Sequence, residues 1–313
     1  MPGHSKPDLL IVGQVTIDDV VSASPGAWQR QMGGSSLYAV AGARLWLEPS
    51  RIGLLARVGD NYPFDAEQVL RRAGLRHIAL PNFPGEHLIE WLIYEPDGSR
   101  RSLPRNRELL DYGAEGSAAM LPYTKLLLEI APSADQVPAS WLPAAAMHLC
   151  PQVGNRHRET LRALHDAVRW ISVDPSPHYS RSMGVLELAQ YLDGATALLP
   201  SAQEVGLLLQ HLTPEALALA LNRAGFAEVL IKRGEQPVVL ANEQTVQCVP
   251  VSDARVIDPT GAGDSFCGAY AACRLLGHAP AEAARRAALS AALVVGCSGV
   301  EAALELTPPP IAD

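Results

Sequence analysis

Asp258-Pro259-Thr260-Gly261-Ala262-Gly263-Asp264-Ser265-Phe266 is the most informative segment of this 313-residue chain. Apolar residues at helical spacing follow it as far as Leu276, so its two glycines stand where a helix begins. Glycines two positions apart let the backbone turn sharply, and successive N–H groups then point outward at the positive end of the helix dipole. The segment therefore predicts an anion site, best suited to a phosphoryl group.

Asp264 occupies the first turn of that expected helix. A carboxylate beside the anion could accept the proton of an attacking hydroxyl, which is the task of the general base in phosphoryl transfer. The alternative is that Asp264 only caps an ordinary helix. Two other phosphate-binding motifs fail on spacing: the sequence contains no G-x-x-x-x-G-K-[ST], and the segment lacks the third glycine of G-x-G-x-x-G.

Upstream of this segment, short apolar strand patterns alternate with helical patterns. A strand ending at Gly13 is followed by a helix over 35–47, and two helices close the chain, at about 263–276 and 280–295. Further strands are expected at 171–174, 195–199 and 229–231. This alternation predicts an α/β fold with a doubly wound, mostly parallel sheet flanked by helices.

Two segments have the two-residue period of half-buried strands instead. One lies between about Glu86 and Arg101, with a turn at Pro96-Asp97-Gly98-Ser99, and a similar extended piece lies between Asp19 and Gln31. We expect a small antiparallel β-sheet flap from insertions at about 19–31 and 86–103. Because no repeat or linker divides the chain, we expect a single domain spanning 1–313.

Composition excludes several classes of protein. Hydrophobic residues make up 48% of the chain, which is enough for a large core, and 25 basic against 33 acidic residues give a net charge of −8. That charge argues against nucleic acid as the main partner. The five cysteines are scattered, which favours a reducing compartment, and no apolar run approaches the roughly 20 residues of a membrane span. We expect a soluble cytoplasmic protein without a membrane partner.

The motif Asp258-x-Thr260-Gly261-Ala262-Gly263-Asp264 closely resembles the C-terminal signature of the PfkB (ribokinase-like) carbohydrate kinases. The resemblance extends over nearly the whole chain, in a strand-end glycine, an aspartate, a di-glycine, a V-G-x-D element and a late strand and turn. These are Gly13, Asp18, Gly33-Gly34, Arg57-Val58-Gly59-Asp60 and Val229 to Gly234. The resemblance implies a ribokinase-like α/β fold in which the flap is a small β-sheet lid.

The resemblance also implies an activity, which is ATP-dependent phosphorylation of a hydroxyl on a small sugar, sugar derivative or polyol. Asp264 would be the general base, and Gly261, Ala262 and Gly263 would form the anion hole. Asp18, Gly33 and Gly34 would bind the substrate. Asp19 has the same sequence context as Asp18, so either carboxylate could hold the acceptor.

The cofactors implied are ATP, Mg²⁺ and a monovalent ion such as K⁺. The nucleotide contacts would come from Arg233, Gly234, Thr260 and Gly263. Glu204 would hold Mg²⁺ through a water, and Asp258 would serve the monovalent ion. The family also offers a homodimer through the lid as one oligomeric state open to this chain.

Two positions depart from the family pattern. Ser201 replaces the asparagine of the metal-linked N-x-x-E, and Tyr38 stands where an asparagine usually follows the di-glycine by four residues. They motivate one alternative to a sugar kinase, a catalytically silent relative that binds a sugar or nucleotide. A second alternative is a nucleoside kinase of the same family, because aromatic side chains of the lid could hold a base.

Overall fold

The computed structural model describes residues 6–21, 28–94, 100–104 and 121–309. Its strands are β1 (Leu9–Val12), β2 (Thr16–Val21), β3 (Trp28–Gly33), β4 (Ile52–Leu55), β5 (Val58–Gly59), β6 (His77–Ala79), β7 (Asn82–Phe83), β8 (Ile89–Tyr94), β9 (Arg100–Pro104), β10 (Ala144–Leu149), β11 (Val168–Val173), β12 (Ala197–Leu198), β13 (Glu228–Arg233), β14 (Gln236–Asn242) and β15 (Thr245–Val249). Its α-helices are α1 (Ser35–Ala43), α2 (Ala66–Arg72), α3 (Leu121–Ile130), α4 (Arg156–Leu164), α5 (Pro177–Ser180), α6 (Val185–Tyr191), α7 (Gly206–Leu209), α8 (Pro214–Arg223), α9 (Ala262–Leu275), α10 (Pro280–Val294) and α11 (Gly299–Glu305).

A nine-stranded sheet forms the centre of the molecule, in the order β15-β14-β13-β12-β11-β10-β1-β4-β6. The strands from β13 to β6 pair in parallel, whereas β14 and β15 add an antiparallel edge. All four residues of β1 are buried, as expected of a strand covered by helices on both faces. The expected α/β fold with a mostly parallel sheet is confirmed.

A second, smaller sheet has the order β3-β2-β8-β9. Both ranges of the expected flap contribute to it, although β2 pairs in parallel with β8 and the other two pairs are antiparallel. Its first segment begins at Thr16, three residues before the predicted start, so Asp18 lies inside β2. The predicted turn at 96–99 and the residues 22–27 lie outside the described residues. That the chain is one domain over 1–313 stays a prediction.

Helices α1 and α9 cross so closely that their backbones are in contact. A methyl group at Gly42 would stand 1.9 Å from the carbonyl oxygen of Ser265, and one at Gly268 would stand 1.9 Å from that of Ala39. Two glycines, one on each helix, thus allow an approach that larger side chains would prevent. The crossing brings the side chain of Tyr38 to the start of α9.

The end of the chain holds one more helix than expected. Helices α9 and α10 match the two predicted at 263–276 and 280–295, but α11 follows them. Its short apolar face, which includes Val300, Ala303 and Leu304, packs into the core cluster that α1 also lines. Within the described ranges, no helix combines the length and apolar character needed to cross a membrane.

Candidate active site

The candidate site lies at the carboxyl ends of the parallel strands, where open α/β sheets place their ligands. Asp174 directly follows β11, and Lys232 lies near the end of β13. Lys232 N donates to Pro200 O over 2.8 Å, so the ends of β12 and β13 meet at one edge. The N-terminus of α9 approaches this edge, because a methyl group at Gly263 would stand 3.5 Å from Lys232 Nζ.

The turn before α9 has the form that its sequence predicts. Gly261 is the N-cap residue and adopts φ 78° and ψ 5°, a left-handed conformation that favours glycine. The Asp258 carboxylate stabilises the turn from outside, since Oδ1 accepts a 2.9 Å hydrogen bond from Thr260 N. Ala262 N has only a long, 3.4 Å bond to Pro259 O. The first N–H groups of a helix have no acceptor within the helix itself, so this turn is suited to an anion.

Tyr38 packs directly on the turn. A methyl group at Gly261 would stand 2.1 Å from two atoms of the Tyr38 ring, and the side chain is buried. The ring therefore excludes any side chain at this position. The departure from the family asparagine thus lies in contact with the predicted anion site rather than at a distance from it.

Asp264 is half-buried in the first turn of α9, as predicted. Its carboxylate interacts electrostatically with two buried thiols, those of Cys150 and Cys267. Burial raises the pKa of both thiols well above the usual value, and the negative charge of Asp264 raises it further. Cys150 follows β10, so Asp264 lies within electrostatic range of the sheet edge as well as of its own helix.

Asp18 is buried in the small sheet at 3% exposure. Its Oδ1 accepts a 2.6 Å hydrogen bond from Thr16 Oγ1. Gly33 lies opposite, and a methyl group there would stand 1.8 Å from Asp18 Oδ2, so glycine is needed for the carboxylate to fit. The di-glycine thus shapes the surroundings of Asp18, and Gly34, at φ 108°, turns the chain into α1.

Asp19 lies on the opposite face of β2 from Asp18, because successive residues of a strand point to opposite faces. It forms a two-pronged ion pair with Arg30, at 2.9 Å to Nε and 3.0 Å to Nη2. Asp19 is thus held by an ion pair, whereas Asp18 accepts a hydrogen bond from the neutral hydroxyl of Thr16.

One side chain connects Asp18 to the turn before α9. Gln31 lies directly opposite Asp18 in the β2–β3 register, and its Nε2 lies 3.5 Å from Asp258 Oδ2. The structure therefore brings Asp18, Gly33 and the 258–264 segment together from opposite ends of the chain.

The remaining predicted residues lie in different surroundings. Arg233 and Gly234 form the turn between β13 and β14, where Arg233 donates to Gln236 and Gly234 is exposed. Glu204 is half-buried and accepts a 2.6 Å bond from Ser201 N at Oε2. Burial and the nearby Asp174 raise the pKa of Glu204 to about 8. In the described part of the chain, no three His, Cys, Asp or Glu residues are grouped as a metal site.

Comparison with known proteins agrees with this geometry. Residues 155–306, which include β11 to β15 and α9, match the model of the pfkB family carbohydrate kinases. This part of the chain, just under half of it, therefore resembles the PfkB family. The first half of the chain, which carries Asp18 and the small sheet, lies outside that match.

Three further proteins resemble this chain over most of its length. A cytidine kinase from Thermococcus kodakarensis is 23% identical over 269 residues, which cover 85% of this chain and 87% of that protein. The nucleoside kinase of Burkholderia thailandensis, solved with inosine, superposes with a TM-score of 0.70 at 18% identity, covering 94% and 93% of the two chains. A fructokinase from Xylella fastidiosa, solved with bound ATP, gives 0.68 at 18% identity, covering 95% and 94%. The superpositions establish the ribokinase-like fold.

Sequence reasoning missed two residues of this candidate site. Asp174 and Lys232 form a buried ion pair of 2.6 Å between the ends of β11 and β13. The signal was present in the sequence, because each is a charged residue at the end of an apolar strand run. The sequence pattern predicts nucleotide contacts at Arg233 and Gly234 instead, because a turn is easier to recognise in a sequence than an inward-facing lysine.

Proposed function

We propose that this chain is an ATP-dependent kinase that phosphorylates a hydroxyl group of a small sugar, sugar derivative or polyol. One observation carries this function: the left-handed turn at Gly261 sets Asp264 and the N-terminus of α9 beside the strands that bear Asp18 and Gly33. The anion site and its carboxylate thus lie at the end of the central sheet, and Gln31 links their turn to the small sheet that bears the second, buried carboxylate.

In the proposed reaction, Asp18 accepts hydrogen bonds from the acceptor and orients it. Asp264 takes the proton of the reacting hydroxyl as that oxygen forms a bond to the γ-phosphorus of ATP. The bond between the γ-phosphorus and the bridging oxygen of ADP breaks, and its electron pair leaves with ADP. The N–H groups of Ala262, Gly263 and Asp264 stabilise the charge on the transferring group.

ATP is the phosphoryl donor in this proposal. The fructokinase relative that was solved with ATP supports the choice of nucleotide. Thr260 and Gly263 would lie at the phosphates, because they flank the turn, and Arg233 and Gly234 would lie further out, on the loop after β13.

Glu204 fits a water-mediated Mg²⁺ site. Among the described residues only Ser201 hydrogen-bonds to this carboxylate, with Oε2 accepting from Ser201 N. Mg²⁺ is held mainly by phosphates and waters in such sites, where it would neutralise phosphate charge. Asp258 differs, because Oδ1 and Oδ2 are already approached by Thr260 N and Gln31 Nε2, so a K⁺ site there stays a prediction.

We further propose that the four-stranded sheet is the lid of the site. It carries Asp18 on β2, and Tyr123 Oη donates a 2.8 Å bond to Glu90 Oε1 on β8, which fixes α3 against it. Dimerisation through this sheet stays a prediction that light scattering on the purified protein will test.

A nucleoside is the second candidate acceptor. The cytidine kinase relative covers most of both chains, and the Burkholderia structure holds inosine, which favours this alternative. Thermal-shift screening of nucleosides against hexoses, pentoses and polyols separates the two, since a ligand at 100 times its Kd adds about 2.7 kcal/mol of stability.

The test of the proposed function is turnover by wild type and Asp264→Asn in a coupled ADP-release assay over that panel. We expect wild type to turn over at least one acceptor and D264N to lose about 10²- to 10⁴-fold in kcat, the usual worth of a general base. Binding of ADP, measured by calorimetry, should survive in D264N. Asp166→Asn is the matched control, since Asp166 is 94% exposed and far along the chain from the turn.

Wild-type protein that is folded but turns over no acceptor contradicts the proposed function. If that protein nevertheless binds nucleotide, it is the catalytically silent relative. D264N with wild-type turnover contradicts the role of Asp264 alone.

A further inference from the structure

Lys232 is a buried lysine in an unusual position. Only 8% of the residue is exposed, and its ammonium donates to Asp174 Oδ2 at 2.6 Å and to Cys267 Sγ at 3.1 Å. Burial acts to lower the pKa of Lys232, but Asp174, Cys267 and Glu204 act against it and keep that pKa well above its usual value. The lysine is therefore a buried cation.

The Lys232 ammonium lies at the N-terminus of α9, the end of a helix at which a cation is unfavourable. Its Nζ would be 3.5 Å from a methyl group at Gly263, in the first turn of α9. Helix N-termini carry partial positive charge, so they attract anions and repel cations. Burying an ammonium at such a place costs free energy unless negative charge compensates it.

Asp174 supplies the compensating negative charge, but only one of its two carboxylate oxygens has a hydrogen-bond partner among the described residues. The residue is 2% exposed, and its Oδ2 takes the bond from Lys232, whereas its Oδ1 has no hydrogen-bond partner among the described residues. An ammonium has three N–H donors, and within the described chain Lys232 uses two. One donor is thus left beside the N-terminus of α9.

We propose that Lys232 is a catalytic residue of the anion site, whose remaining N–H contacts the γ-phosphoryl group of a nucleoside triphosphate at the first turn of α9, with Asp174 as its counter-charge. This role rests on the proposed kinase function. Lysine suits it as a compact point charge that can donate to Asp174, Cys267 and a phosphate oxygen at once.

The first test compares wild type with Lys232→Met and Lys232→Arg. We expect K232M to lose about 10²-fold in kcat, as when one donor to a developing anion is removed. It should weaken binding of the β,γ-imido analogue of ATP about tenfold while changing ADP binding by less than about threefold, because the contact is to the γ-phosphoryl group. K232R keeps the charge and should recover part of the loss.

Lys125→Met is the matched control, because it also removes a lysine, and the Lys125 side chain is 80% exposed on α3. It should leave kcat and both affinities unchanged. Since K232M leaves Asp174 without its partner and is at risk of not folding, the double variant K232M/D174N removes both charges together. It should fold and show the same loss in kcat as K232M.

The second test needs no turnover. The chain contains only three lysines, Lys6, Lys125 and Lys232, so protein labelled with ¹⁵N at the lysine side chains gives at most three ammonium signals. The K125M and K232M variants assign them. We expect the imido analogue to shift the Lys232 signal and adenosine to leave it in place.

Two results overturn the role of Lys232 and leave the kinase function standing: an active wild type with K232M/D174N at wild-type kcat, or a Lys232 signal that the imido analogue does not move. In either case the lysine only ties β13 to β11. A wild type that binds no nucleotide at all overturns both the function and this role, and the wild-type measurement alone identifies that outcome.

Discussion

At the scale of single residues, Gly261 is subject to two independent constraints. Its φ of 78° lies in the left-handed region, and the Tyr38 ring fills the space where a side chain would stand. The first constraint costs an ordinary L-residue about 1–2 kcal/mol. The second is steric and adds the cost of overpacking, about 1–3 kcal/mol.

Gly261→Ala and Gly277→Ala separate these two costs. Gly277, just beyond the other end of α9, has φ 88° and open space around it, so G277A carries the backbone cost alone. We expect urea unfolding to show a larger loss in the free energy of unfolding for G261A than for G277A, by about 1–3 kcal/mol. Against a Y38A background, where the ring is gone, G261A should lose only the backbone cost, so the double-mutant cycle isolates the steric part. Equal losses in G261A and G277A would show that Tyr38 yields without cost.

Individual site residues differed in how far the sequence could predict them. The 258–264 segment was predictable because its chemistry is local: the turn, the helix start and Asp264 are consecutive. The Lys232–Asp174 pair was not, because its partners are 58 positions apart and meet only through strand register. The burial of Asp19 against Arg30 likewise depends on the facing strand β3.

At the scale of elements, the crossing of α1 and α9 positions the site, since one helix follows the di-glycine and the other follows the anion turn. Gly268→Ala places a methyl group 1.9 Å from the Ala39 carbonyl oxygen, so one helix must move. We expect G268A to lower the free energy of unfolding by about 1–3 kcal/mol. Chemical denaturation is the measurement.

Gly206→Ala is the matched control for that substitution. Gly206 begins α7, has no atom within 4 Å of the added methyl group, and has no positive φ. There alanine should leave stability unchanged or raise it by about 0.4–1 kcal/mol. A G268A protein as stable as G206A would mean that the helices separate freely.

Elements with a strong local pattern were the predictable ones. The apolar run at 9–12, the helix from Ser35 and the two helices α9 and α10 follow directly from periodicity. The β14–β15 hairpin and the early start of β2 did not follow from periodicity. Strands at a sheet edge or in the small sheet are short and contain both polar and apolar residues. Their pairing is set by neighbours that the local sequence does not reveal.

At the scale of the whole molecule, buried neutral histidines make stability depend on pH. Burial lowers the pKa of His148 to about 3, with Lys232 and His157 adding to the effect, and burial lowers that of His157 and of His87 to about 4. Because these pKa values lie below the unfolded value near 6.5, the unfolded chain binds more protons between them. The contribution of these histidines to stability is therefore complete above about pH 6.5 and is lost as the pH is lowered toward 4.

His148→Leu tests this dependence. We expect the slope of unfolding free energy against pH, between pH 4 and 6, to decrease by about 1.4 kcal/mol per pH unit, which corresponds to one proton. Ser172→Ala is the control, because it removes the 3.0 Å partner of His148 Nδ1 without removing a titratable group. It should lower stability equally across this range. An unchanged slope in H148L would mean that His148 becomes protonated in the folded state.

The contact between Gln31 and Asp258 joins positions 227 apart in the sequence. The same β2–β3 ribbon carries Asp18 directly opposite Gln31 in the strand register. If this ribbon moves as a lid, Gln31 couples its motion to the turn at 258–264. Binding of the acceptor and formation of the site for the phosphoryl donor would then involve the same motion. Binding of either molecule would therefore alter the affinity for the other.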